Sequence, residues 1–299
     1  MPDKHDVLQL SSPASGITEM WLNRPDKHNA FDPALIAAIH QTLNRLRDDA
    51  SVRVLIIAGR GKSFCSGADL HYMKSMVNFS NEENINDAAR LAAMLQALQQ
   101  FPKPVIAAVH GNVFAGATGL VACSDIVIAA DDARFCISEV KLGLVPAVIS
   151  PFVMARMGVH QARRYFLTAE VFDAAAAQQA GLVHECVTPG ALMAHAHAVA
   201  SQLLRNAPVA LSETKKLIRH LVPVPVAPAV TAHTCELIAR IRASAEAQSG
   251  LQAFFDKRDA PWIAAEPSTG QEPSAEEQHS AGKEPSADKE PSADKEPVQ

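Results

Sequence analysis

Aromatic residues are scarce in this chain. They make up 5% of its 299 residues, within a hydrophobic fraction of 48%, so the core has to be aliphatic and rich in alanine. No apolar run reaches the roughly 18 residues that a membrane helix needs. The opening MPDKHDVLQL lacks a charged-then-apolar leader pattern, which makes cytoplasmic residence the expectation. The five cysteines (Cys65, Cys123, Cys136, Cys186, Cys235) are odd in number and form no CxxC, so they read as reduced, packed thiols. Nor is there an excess of positive charge. The formal net charge is −5, and the acids concentrate after Ala265; without that tail the chain is close to neutral. A nucleic-acid footprint is therefore not expected.

The tail is also the clearest boundary. Beyond Trp262 the sequence becomes EPSTGQEPSAEEQ, then two tandem copies of KEPSAD and a final KEPVQ. Such a composition cannot bury enough surface to offset chain entropy, so 265–299 is expected to be disordered. Upstream, strand-like runs at Val7–Leu10, Ile17–Leu22, Val52–Ala58, Pro104–Val109 and Asp125–Ala129 alternate with helical patterns at Ala34–Leu46, Asn84–Gln100 and Gly116–Cys123. Asp32 and Pro33 are an N-cap and first-turn pair. This alternation predicts an α/β fold with a mostly parallel sheet. After about residue 150 the pattern is helical, with candidates at Ile149–Met157, Gln161–Leu167, Ala174–Ala180, Ala191–Leu204, Val209–His220 and Ala229–Gln248, and one strand at Leu182–Val187. Apolar faces left over in such a segment suggest an oligomer.

Three segments carry the chemistry. In Ser138–Phe152 (SEVKLGLVPAVISPF) a lone carboxylate, Glu139, sits in an apolar, small-residue stretch. Two glycine-containing loops, Ser63–Leu70 (SFCSGADL) and His110–Leu120 (HGNVFAGATGL), each follow a buried-strand pattern and are placed to present bare backbone N–H groups. Other motifs fail on spacing. Gly61-Lys62-Ser63 has Ile56 where a phosphate-binding loop requires glycine. Ser66 lacks the GxSxG frame of a nucleophile elbow. His195 and His197, two apart, point to different helix faces, and no metal site is expected.

Together with the opening LNRPDKHNAFD and CSDIVIAADDARFCISEVKLGLVPAV, these loops resemble the crotonase superfamily of enoyl-CoA hydratases and isomerases, in the right order from about Val7 to Trp262. The resemblance implies a spiral core of ββα units over 1–200, which binds acyl-CoA and carries catalysis, and a helical oligomerisation region over 201–264. It further implies a homotrimer or dimer of trimers, with coenzyme A as part of the substrate and no separate cofactor. It assigns the backbone N–H groups of Ala68 and Gly116 to an oxyanion hole. Two such convergent donors are what a thioester enolate needs. Glu139 matches the second of two glutamates in typical hydratases; the first falls at Gly119, which leaves Glu139 to do most of the acid–base work. Coenzyme A would cross Ala68, Asp69 and Leu70, with its adenine near Asn23–Asn29, where Lys27 stands, and its phosphates at Lys257. His71 and Tyr72 are candidates to touch the acyl chain.

The glycine at position 119 is expected to open room for a branched or carboxylated acyl chain. The stretch FCISEVKLGLVPAVISPF is similar to that of bacterial methylglutaconyl-CoA and γ-carboxygeranoyl-CoA hydratases. That implies hydration of 3-methylglutaconyl-CoA to 3-hydroxy-3-methylglutaryl-CoA, in leucine or isovalerate breakdown or in acyclic terpene degradation. The alternatives are an enoyl-CoA isomerase, a decarboxylase of a glutaconyl thioester, and a non-catalytic acyl-CoA-binding protein.

Overall fold

The computed structural model describes residues Asp6–Leu221 and Pro228–Pro261. The KEPSAD repeats lie outside them.

A six-stranded sheet runs in the order β1-β2-β3-β4-β6-β9, from β1 (Leu8–Ala14) and β2 (Gly16–Leu22) through β3 (Val52–Gly59), β4 (Val105–Val109) and β6 (Ile126–Ala130) to β9 (Glu185–Val187). Only the β1–β2 pair is antiparallel. The inner strands are apolar on both faces, as expected of a sheet covered on both sides. Successive residues point opposite ways, so Leu55 and Ile57 of β3 join one core cluster while Val54, Ile56 and Ala58 join the other. The larger cluster packs the sheet against α1 (Pro33–Arg47), α3 (Asn81–Gln99), α4 (Gly116–Cys123) and α5 (Ser150–Thr168). The smaller is closed by α7 (Leu192–Leu204) through Leu192, Ala196 and Ala200. A second sheet, order β5-β7-β8, joins β5 (Asn112–Phe114), β7 (Arg134–Cys136) and β8 (Phe172–Asp173).

Local signals set most helix ends. The Asp32 side chain accepts from Leu35 N at 2.8 Å and starts α1, whose buried face is Leu35, Ile39, Leu43 and Leu46. A capping box between Ser80 and Glu83 starts α3 three residues before the periodicity alone predicts. Gly158, at φ +71°, kinks α5 and keeps its two halves distinct. The C-terminal pattern is not one helix. It breaks at Ser244, whose side chain caps a new start, giving α9 (Pro228–Arg242) and α10 (Ala245–Phe255).

These last helices pack on their own chain. Gln96 of α3 donates to Thr231 Oγ1 of α9 at 2.7 Å. A Cβ on Gly143 would stand 2.9 Å from Ala247 Cα, so α10 lies directly on the turn that follows Glu139. Residues of α9 and α10, among them Ile238, Arg242 and Leu251, also border the cavity described below. Exposed large apolar residues are spread over several elements, and three of them, Val209, Leu217 and Ile218, lie on α8 (Pro208–Leu221). Among the described residues no helix is long and apolar enough to cross a membrane.

Candidate active site

A cavity of about 580 Å³ opens beside the sheet, lined mainly by apolar residues. The sequence-predicted residues Ala68, Leu70, Gly116 and Glu139 all border it, as does Tyr72.

Ala68 follows Gly67, a glycine at φ +92°. The loop is pinned on both sides to Phe31, with Phe31 N donating to Gly67 O at 2.7 Å and Asp69 N to Phe31 O at 2.8 Å. That leaves Ala68 N–H with no hydrogen bond among the described residues. Gly116 opens α4, where the first amides have no intrahelical partner and the helix dipole is positive. Its N–H is also unpaired among the described residues. The preceding residue, Ala115, sits at φ +48°, ψ −120°, a backbone conformation that costs an alanine about 1–3 kcal/mol. A Cβ on Gly116 would crowd the Phe31 ring at 3.2 Å, so the glycine lets the ring approach the start of α4 closely.

Glu139 begins a 3-10 turn, Glu139–Leu142, held by Leu144 N donating to Glu139 O at 3.1 Å. The residue is partly exposed as a whole, but its Oε2 is shielded and has no hydrogen-bond partner among the described residues. Loss of solvation pushes the carboxyl up to about 7, only slightly offset by its own backbone N–H. A carboxyl poised there can both accept and return a proton near neutral pH.

Gly119 is not part of the cavity wall. A Cβ there would stand 2.8 Å from Ile149 Cγ2 and 3.1 Å from Leu95 Cδ1. The expectation that this glycine enlarges the acyl site is therefore overturned: Ile149 and Leu95 already fill the space. Asp69 too is turned to structural use. Its carboxylate caps α2 (Leu70–Ser75) by accepting from His71 N at 2.9 Å, and it meets Arg24 Nη2 at 2.9 Å. Arg24 also holds Asp32 at 3.0 Å and donates to Ala30 O, which ties the 24–32 segment to the Ala68 loop. Lys27 and Lys257 are exposed on turns and border no part of the cavity, and His71 is likewise exposed. His195 and His197 take separate partners, Glu185 and Glu19, each at 2.7 Å.

One feature of the cavity wall escaped the motif reading. Asp87 and Asn84 are buried on the apolar face of α3, where Asp87 accepts from Tyr72 Oη and pairs with Arg242 of α9. The signal was present: both polar residues occupy the same helical stripe as Ala88, Leu91 and Leu95.

A shielded acid and two unpaired amides around an apolar cleft define an enzyme site suited to a carbonyl compound that acquires negative charge on oxygen. Comparison with known proteins gives the class its name. The family model described as Enoyl-CoA hydratase/isomerase matches residues 13–265. The chain is 32% identical over 241 residues to the 2,3-dehydroadipyl-CoA hydratase of Escherichia coli, covering 80% of this chain and 92% of that one. A solved enoyl-CoA hydratase from Shewanella pealeana is 43% identical, with TM-score 0.70, over 86% of this chain and 96% of the other. One from Mycobacterium avium is 32% identical, with TM-score 0.77, over 86% and 99%. The chain belongs to the enoyl-CoA hydratase/isomerase family and has the crotonase fold.

Proposed function

We propose that the protein adds water across the double bond of a 2-enoyl-CoA, with 3-methylglutaconyl-CoA as its substrate. The observation that carries this reading is the shielded Glu139 Oε2 in the same cavity as the two unpaired amides of Ala68 and Gly116. The thioester oxygen rests between those N–H groups. Glu139 takes a proton from a water as the oxygen–C3 bond forms, and the electron pair of the double bond moves onto the thioester oxygen as an enolate. The enolate then collapses as C2 takes a proton, returned by the same carboxyl. The fixed donors favour the transition state because the charge they meet exists only there.

Position 119 is a glycine and carries no carboxyl, so one acid serves both proton transfers. The same economy suits a second reading, movement of the double bond without water. Glu139→Gln tests the first step: turnover should fall by about 10²–10⁴ while acyl-CoA binding persists. Hydration in ¹⁸O water, followed by mass, should show one labelled oxygen in the product; a shifted double bond without label would support isomerisation.

The substrate assignment is supported by likeness to a relative named for a hydratase of 2,3-dehydroadipyl-CoA. Assembly into trimers or dimers of trimers is supported by the exposed Val209, Leu217 and Ile218 of α8. Light scattering on the full chain measures it directly.

A further inference from the structure

One buried polar stretch of the cavity wall is built from three elements, apart from the exposed Lys141 at the cavity border. Tyr72 of α2, Asp87 of α3 and Arg242 of α9 all border the cavity. Arg242 Nη1 donates to Asn84 Oδ1 at 2.9 Å and lies 3.4 Å from Asp87 Oδ2, while the other Asp87 oxygen accepts from Tyr72 Oη. Burial and the Asp87 charge push the Tyr72 phenol up, so it remains a neutral donor. Asp87 thus sits between two donors and holds the guanidinium by one nitrogen.

The rest of that guanidinium is uncommitted. Arg242 Nε and Nη2 make no hydrogen bond among the described residues, yet the side chain is only 13% exposed. An alkyl chain filling the cavity would strip water from these donors and return nothing. A carboxylate would satisfy them, because the planar guanidinium fork matches two carboxylate oxygens and is already oriented by Asn84 and Asp87. Arg258 also borders the cavity, but it is exposed and lies 3.4 Å from Asp256.

We propose that Arg242 is a specificity residue whose open guanidinium edge receives a carboxylate at the far end of the acyl chain, so that the substrates are enoyl thioesters of dicarboxylic acids. This rests on the reading above for the thioester end of the ligand. It gives the charged terminus of such a substrate its own partner, opposite in sign and already held in place.

The test compares 3-methylglutaconyl-CoA with 3,5-dimethylhex-2-enoyl-CoA, in which an uncharged isopropyl group replaces the carboxylate at nearly equal size. The wild-type kcat/KM ratio should favour the carboxylated thioester at least about 100-fold. It should collapse to below about threefold in Arg242→Met and be intermediate in Arg242→Lys, which keeps the charge and loses the fork. Because Arg242→Met strands the buried Asp87, the Asp87→Asn/Arg242→Met double variant is measured alongside and should lose the preference equally. A wild-type ratio near one, or a preference retained in either Met variant, overturns the proposal. Should the wild type hydrate neither thioester, the hydratase reading fails, and calorimetric affinities for the same pair decide this one. A preference of about 30-fold or more in Kd that is lost with Arg242 upholds it, and equal affinities overturn it.

Discussion

A Cβ on Gly67 would stand 3.1 Å from the Cβ of Ala115 and 3.2 Å from Phe114 O, so the two amide-bearing loops touch at the residues just before their unpaired N–H groups. The separation of Ala68 from Gly116 is thereby set by backbone packing. Gly67, at φ +92°, also has a conformation that alanine resists. Gly67→Ala should therefore spread the loops and misplace one donor, lowering kcat by about 10²–10³. Steady-state kinetics beside a thermal melt checks this, since full activity in a folded variant would detach the two amides from catalysis.

The buried Glu139 carboxyl makes stability depend on pH in a defined direction. Its folded value of about 7 lies above the ordinary 4.5, so the folded state holds this proton more tightly than the unfolded one. Its contribution is fully present below 4.5 and is lost as pH rises through about 7. Glu139→Gln removes that loss. The variant's Tm advantage over wild type should accordingly be larger at pH 8 than at pH 5, and an advantage that shrinks with rising pH would contradict the shielded geometry. In the active enzyme, kcat/KM should rise with pH along a limb centred near 7, as the carboxylate form appears.

Position 119 should refuse a second acid. Gly119→Ala is expected to cost about 1–3 kcal/mol by overpacking against Ile149 and Leu95. Gly119→Glu should cost more and bring no gain in hydration. Removing the crowding methyl should relieve this, so Gly119→Ala should cost less in an Ile149→Ala background than in the wild type, measured as the denaturation midpoint in urea.

On the far face of the sheet, Glu19 of β2 is buried and accepts from Ser11 Oγ at 2.5 Å, Trp21 Nε1 at 2.9 Å and His197 Nε2 at 2.7 Å. Burial raises its carboxyl, but these donors together prevail and hold it below the ordinary 4.5. Stability from this cluster is present above 4.5 and is lost as pH falls through the lowered folded value. Since His197 lies on α7, Glu19→Gln should destabilise the protein at pH 7 and do so less at pH 3, as reported by thermal melts at the two values.

Much of this protein was determined by local sequence. Alternating apolar strands and capped helices require little more than period and end signals: Asp32 before Pro33 starts α1, and the short run Val52–Ala58, rich in β-branched residues, reads as a buried strand. The short contiguous motifs also marked the segments of Ala68, Gly116 and Glu139, which border one cavity, while the roles given to these residues came from the family resemblance. Tertiary structure decided what depends on residues distant in the chain. Sequence alone made Gly119 a vacancy, because a missing side chain looks like space until Ile149 and Leu95, each about 25–30 positions away, are seen to occupy it. Nor does anything local show that Arg24 reaches across to pair with the Asp69 carboxylate. The meeting of Tyr72, Asp87 and Arg242 at one end of the cavity likewise needs three elements folded together: periodicity can mark a polar residue on an apolar stripe, but only packing supplies its partner.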